Sequence, residues 1–310
     1  MCTIREFISD DDLDEALRMM MNYSPHMIPI YNMVRIHRIK IVLGLFGLTC
    51  ELRFHIAFRN KYPTAKFRIF GYPFTESKLW FLLSDDPFRI KFLLIWSLPW
   101  HNYKKDEFLD VINQFTKLIE LPKEILVINP NYLSDKISIY IKSKTSYTEN
   151  IYPTYMYYMN EKQQEVVLKE KLCLPSDYHY NDDKPEEDAL IINDTWQYAD
   201  KGDSRCFAEK LRMLPNVIIR YQGQPIAYEI FNINGFFHHH FVHEEHRRQG
   251  LGKHVELRLS QKIIQEGFWP CKTVELKNEL VVAWSNRSSY WNRYDDEYGN
   301  PIIINFNLLR

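Results

Sequence analysis

The chain has 310 residues, enough for two domains of ordinary size, and its 45% hydrophobic and 25% charged content suits a packed core, not a disordered polymer. A formal charge of −1 excludes a dedicated nucleic-acid binder, whose domain would be clearly basic, so any anion site must be local. The five cysteines, Cys2, Cys50, Cys173, Cys206 and Cys271, are scattered, odd in number and never in C-x-x-C spacing, which fits reduced thiols in a cytoplasmic protein and excludes a disulfide frame.

The N-terminal stretch MCTIREFISDDDLDEALR is acidic and lacks an apolar h-region, so neither a secretory signal nor a transit peptide is expected. Ser9 or Asp10 can cap a first helix whose apolar side is Leu13, Leu17, Met20 and Met21. After Pro25 and Pro29 the pattern turns irregular from Val34 to Cys50. Within it, Ile39–Leu48 is the longest aliphatic run, but it contains Lys40 and falls short of the roughly 18 residues of a membrane span. It is expected to be a core segment, with no membrane partner.

From Phe67 the runs FRIF, KLWFLLS and IKFLLIW read as strands, bounded by Gly71-Tyr72-Pro73, Asp85-Asp86-Pro87 and Pro99. Asp106 opens a helix with Phe108, Val111, Ile112, Phe115, Leu118 and Ile119 on one side, and EILVIN and KISIYIK resume as strands. Leu174–Glu187 is polar and acidic and reads as a linker. The expected organisation is therefore an α/β domain over residues 1–173, a linker over 174–187 and a second domain over 188–310. The second domain reads as helices at Asp188–Tyr198 and Asp203–Leu214, then strands at Asn216–Tyr221, Pro225–Asn232 and Phe236–Val242. A long helix follows, then a strand at Thr273–Asn278, a helix near Glu279–Asn286 and a last strand at Pro301–Leu309. No internal repeat is evident in the residues.

The most informative stretch is Phe236–Glu266, a strand entering a basic, glycine-punctuated turn that leaves as a helix. In the turn, Arg247-Arg248-Gln249-Gly250-Leu251-Gly252, the two glycines allow positive φ and close approach to an anion. Leu251, Val255, Leu259 and Ile263 make one helical stripe, while Lys253 stays off it beside the helix's positive end. The pattern is not a dinucleotide fingerprint, because the third glycine position is Val255, nor a P-loop, because His254 follows Lys253.

The pattern R-x-x-G-x-G between strand and helix resembles the CoA-binding motif of the GNAT acyltransferase superfamily. The flanking Asp188-Ala189-Leu190, Trp196-Gln197-Tyr198, Gly223-Gln224-Pro225-Ile226 and Glu244-Glu245-His246-Arg247 resemble its glycine N-acyltransferase-like family over roughly residues 180–290. The resemblance implies a mixed α/β sheet in two tandem GNAT-like halves, the first lacking the motif and lending surface to the acceptor pocket. It also implies acyl-CoA as cosubstrate, glycine or another small amine as acceptor, and the pantetheine arm on the edge of a splayed central strand, where a main-chain N–H near Phe241 or Val242 holds the oxyanion. Arg247, Arg248, Gln249, Gly250, Leu251, Gly252 and Lys253 would hold the diphosphate and Asn278 the CoA arm. A CoA-binding regulator without turnover and a protein N-acetyltransferase remain as alternatives.

Amide formation from a thioester needs a base for the amine, an oxyanion site and, for many thiolates, an acid. Glu245 matches the family's proposed base. Ser285 stands where many superfamily members carry an acidic tyrosine, and Tyr290 is a second candidate. Strand alternation puts His238 and His240 on one face and His239 on the other, so the histidine run is not a converging metal set and no metal is expected. His240 is the histidine expected to assist Glu245.

Overall fold

The computed structural model describes residues 4–38, 66–85, 90–144, 147–180, 184–199 and 202–310. Ile39–Leu48, Cys2 and Cys50 lie outside these residues. The first half runs β1 (Arg5–Phe7), α1 (Asp10–Met21), α2 (Ile28–Arg38), β2 (Lys66–Tyr72), β3 (Leu79–Asp85), β4 (Lys91–Ser97), α3 (Lys105–Leu118), β5 (Ile125–Pro130), α4 (Asn131–Lys144) and β6 (Glu149–Tyr158). After α5 (Glu161–Lys169) come β7 (Tyr178–Tyr180), α6 (Pro185–Asp194), α7 (Asp203–Met213), β8 (Asn216–Tyr221), β9 (Gln224–Phe231) and β10 (Phe237–Val242). The chain ends with α8 (Leu251–Gln265), β11 (Cys271–Glu275), α9 (Glu279–Arg287), the short β12 (Asn292–Arg293) and β13 (Ile303–Leu309).

This order repeats itself, although the residues do not. In the first half β1 pairs antiparallel with β2, β2 to β4 form an antiparallel meander, and β4 reaches its parallel neighbour β5 through α3. In the second half β7 to β10 and β11 do the same, with α8 as the crossover. A parallel pair cannot be closed by a tight hairpin, so each half needs its helix at that point. Helix α4 follows β5 and α9 follows β11 in the same way.

The halves then exchange their last strands. The single sheet runs β1-β2-β3-β4-β5-β13-β6-β11-β10-β9-β8-β7. The second half's β13 lies against β5 of the first, and the first half's β6 lies against β11 of the second. The two exchanged strands pair with each other from Ile303↔Tyr155 to Leu309↔Glu149. One apolar cluster joins Trp80, Trp96 and Ile128 to Phe237, Val255 and Ile304. Pro153 is tolerated inside β6 because it sits one position past the last residue pair with β11, Glu275↔Thr154, where its carbonyl accepts from Leu276 N at 3.1 Å.

Three local expectations are corrected. KISIYIK is not a strand but part of α4; its isoleucines fit both periods, and burial of Leu133, Ile137, Tyr140 and Ile141 follows the helical one. Val34–Arg38, within the stretch that reads as irregular, continues α2. The polar stretch 174–187 contains β7, an edge strand, and the start of α6 at Pro185, where a proline suits the first turn. Asp188, expected to begin a helix, instead lies buried inside α6 and takes Arg220 Nη2 at 2.6 Å.

Because each half completes the other's sheet, the two are expected to unfold together. Urea denaturation followed by tryptophan fluorescence and by far-UV circular dichroism should give one coincident transition; two separated steps would mean that the strand exchange does not couple the halves.

Candidate active site

The sheet opens between β10 and β11. Their parallel ladder consists of one residue pair, Phe237↔Lys272, whereas β4 and β5 in the first half stay paired over four, from Lys91↔Ile125 to Leu94↔Ile128. Beyond Phe237 the edge of β10 that faces β11 is unpaired by strand. His243 N donates to Ile226 O of β9, so by alternation Val242 turns its N–H and C=O towards the gap. Arg247 Nε takes that carbonyl at 3.0 Å, tying the basic turn to the end of the strand. In the first half, past the last β4–β5 pair at Leu94↔Ile128, Tyr132 donates to Ser97 O at 2.6 Å.

The alternation expected for the histidines fails at a β-bulge. The register of β10 against β9 shifts between His238 and Phe241, and His239 takes φ +54°. His238 and His239 consequently lie together against Trp196, with ring centroids 4.5 and 4.8 Å away. His240 is turned to the opposite face, towards α8. A bulge inserts one unpaired residue and reverses the phase of the side chains after it. His239 is core: burial pushes its pKa down to about 3, and Nε2 lies 3.2 Å from Thr195 Oγ1.

The turn after β10 has the backbone that its glycines suggest. A short 3₁₀ turn, Glu244–His246, is followed by Arg248 at φ +64° and by Gly250 at φ +78°, which forms the N-cap of α8 without any side-chain hydrogen bond. The first N–H groups of α8 are thus left to solvent or to an anion. Space is open around Gly250, since a Cβ built there meets nothing within 4 Å. Gly252 is different: a Cβ there would meet His240 Nε2 at 3.0 Å. The helix itself is fixed by the expected stripe, with Leu251, Val255, Leu259 and Ile263 all buried.

Tyr178 of β7 steadies the turn, its hydroxyl donating to Gln249 Oε1 at 2.8 Å and meeting His246 Nδ1 at 2.9 Å. Lys253 lies over the ring of Tyr290 at 5.1 Å, and Arg248 is exposed. Strand β10 has ended before the acidic pair, so alternation does not choose between Glu244 and Glu245. Glu244 reaches Arg247 at 4.0 Å, and Glu245 is exposed without an ion pair among the described residues. Across the gap Asn278 caps α9, its Oδ1 accepting from Val281 N at 3.4 Å. Ser285 is fully buried in the same helix, and its Oγ has no hydrogen-bond partner.

Sequence reasoning missed three residues here. Glu229 of β9, Glu256 of α8 and Lys272 of β11 are buried beside His240. Lys272 Nζ meets Glu256 Oε1 at 2.5 Å, Trp291 Nε1 donates to Glu256 Oε2 at 2.8 Å, and Glu229 Oε1 lies 3.4 Å from His240 Nδ1. One signal for Glu229 was present: a lone carboxylate in the apolar strand PIAYEIF. The ligand atoms of Glu229, His240 and Glu256 lie within 4.8 Å of one another, the one such group among the described residues that could hold a cation. The Lys272 ammonium already supplies positive charge there. No described helix is long and apolar enough to cross a membrane.

The sequence matches no protein-family model and no curated protein. Solved structures do match. A Drosophila protein from a structural genomics consortium is 17% identical and superposes with a TM-score of 0.72 over 100% of this chain and 99% of its own. A candidate acetyltransferase from Pyrococcus horikoshii is 7% identical, with a TM-score of 0.51 over 100% of this chain and 90% of its own. A tandem GNAT protein from the clavulanic acid biosynthesis pathway aligns at 10% identity over 99% and 98%, with a TM-score of 0.49. These are likenesses of fold: the chain is a mixed α/β protein that shares its whole-length fold with the Drosophila protein and, more loosely, with the Pyrococcus one.

Substituting Gly250 tests the turn itself. Gly250→Val places a β-branched residue at φ +78° and is expected to cost about 1–2 kcal/mol of unfolding free energy in urea titrations, all of it from the backbone conformation, because no neighbouring residue lies within 4 Å of the new Cβ. An unchanged midpoint would mean that the turn adopts another backbone in solution.

Proposed function

We propose that the protein is an acyl-CoA-dependent N-acyltransferase that moves an acyl group from the CoA thioester to the amine of glycine or another small amine. The observation that carries this reading is the conjunction of the uncapped start of α8 at Gly250 with the strand gap between β10 and β11. Main-chain N–H groups at a helix start hold a diphosphate, with Arg247, Arg248 and Lys253 adding charge around it. The pantetheine arm takes the unpaired edge of β10, a peptide-like chain pairing where a strand is missing. Val242 N–H, turned into the gap, is the donor for the oxyanion, and the free NH₂ of Asn278 is available to the arm.

Glu245 is the base. An amino group with a reference pKa near 8 needs only modest help to lose its proton, and an exposed carboxylate at the mouth of the gap gives that help. The first half contributes Tyr155 and Tyr157 on β6, paired with Val274 and Lys272 of β11, and so reaches the acceptor side through the exchanged strand. The connection after its β4, residues 98–104, carries no glycine.

The test is a thiol-release screen of acyl-CoAs against amines, with calorimetric titration of coenzyme A. CoA is expected to bind, and Gly250→Val to lose that binding. Glu245→Gln should lower kcat about 10²-fold with the CoA Kd unchanged; equal losses in both would assign Glu245 to binding. Binding of CoA without release of thiol under any pairing would make the protein a CoA-binding regulator instead.

A further inference from the structure

The proposed reaction leaves its departing thiolate without an assigned acid, and neither hydroxyl read from the sequence is suited to the task. Ser285 Oγ is enclosed and unpartnered. Tyr290 donates to Glu170 Oε1 at 2.6 Å, and that bond, with burial, pushes its pKa up.

The buried cluster beneath the first turn of α8 supplies an alternative. Glu229, with 2% of its side chain exposed, has Oε1 3.4 Å from His240 Nδ1, while Lys272 is held on Glu256; burial raises the Glu229 pKa, and the charges of His240 and Lys272 oppose that rise. Glu229 Oε2 has no partner at all. An unpaired carboxylate is expensive in such a place, so the arrangement favours a proton kept on the pair. The free end of the imidazole, Nε2, faces Gly252 of α8, and the ring centroid lies 6.3 Å from Trp284 of α9, the residue before Ser285. About a third of the His240 side chain is exposed, 32%, although four elements surround it. His240 therefore lies beside both α8 and α9 with part of its ring open to solvent, and the bulge at His239 is what puts it there.

We propose that His240 is the acid that protonates the leaving thiolate, and that Glu229 is the positioning residue that keeps it oriented and charged; this rests on the acyl-transfer reading above. In the step the amine nitrogen bonds to the thioester carbonyl carbon and the C–S bond breaks. The sulfur keeps the electron pair and takes the proton from His240 Nε2. The amine proton leaves through Glu245, and solvent returns a proton to His240.

The groups facing His240 are Glu229 from β9, Glu256 from α8 and Lys272 from β11, while the neutral His239 lies on the other face of β10. Burial alone would lower the His240 pKa, but the charge and hydrogen bond of Glu229, with Glu256, outweigh burial and the opposing Lys272 and raise it. An acid with a raised pKa is active below that pKa and is lost as pH rises through it. At saturating acyl-CoA and amine, kcat is therefore expected to fall on the alkaline side. Glu229→Gln should move that limb to lower pH by a unit or more, and His240→Gln should abolish it and lower kcat about 10²-fold.

Proton NMR titration of His240 in wild type and Glu229→Gln reads the same coupling without turnover, and melting temperature with CoA calorimetry checks that each variant is folded. An activity that rises through the His240 pKa, a limb unmoved in Glu229→Gln, or an unchanged His240 titration in that variant would overturn the proposal. Failure of wild type to release thiol from any acyl-CoA would overturn the acyl-transfer reading instead, with the NMR titration still reporting whether Glu229 holds His240.

Discussion

The parting of β10 from β11 after one residue pair is the constraint on which the rest of the site depends. A parallel pair normally continues until one strand ends, because each unpaired N–H or C=O inside a sheet is costly. Here the cost is met at the edge: Arg247 takes the Val242 carbonyl, and the bulge withdraws His239 into a hydrophobic corner with Trp196, Phe207 and Tyr228. The same bulge presents His240 to the underside of α8. Gap, bulge and helix start are consecutive along the chain, so one strand-turn-helix unit sets all three.

The strand exchange ties a first half without the glycine turn to the half that has it. Without β6 the second half would end at β11, and the wall beyond the gap would be solvent. With β6 in place, Tyr157 packs against Lys272, 5.7 Å from its ammonium, and donates to Asn286 of α9 at 2.9 Å. The cation that neutralises Glu256 is therefore steadied by a residue more than a hundred positions earlier in the chain. The two halves differ in how long their parallel pairs last: β4 and β5 stay paired over four residue pairs, β10 and β11 over one.

Much of the second half was legible in the sequence because its signals are local. The strands at Asn216–Tyr221 and Pro225–Asn232, the glycine-basic turn and the four-residue stripe of α8 each depend on neighbours within a few positions. The fold of the first half was less so. KISIYIK alternates like a strand and folds as a helix because its place after β5 decides the matter. The repeated order of elements left no trace in residue types, since topology is kept by hydrogen-bond direction and not by side chains. The buried cluster is long-range by nature, joining residues 229, 240, 256 and 272, and the bulge that assembles it depends on a left-handed histidine, which alternation does not foresee. Of the site residues read from the sequence, the turn and His240 converge on one opening, and Ser285 lies enclosed in α9.

The central position of β13 also bears on how the molecule is made. β5 borders β13, and roughly 180 residues separate the two in the chain. At a synthesis rate of about 5–20 residues per second, the nascent first half waits on the order of 10–35 s with an unpaired inner edge before its missing neighbour emerges from the ribosome. An exposed strand edge in that interval is a template for wrong pairing. The architecture that fuses two halves into one sheet thereby ties the yield of folded protein to what shields β5 during translation.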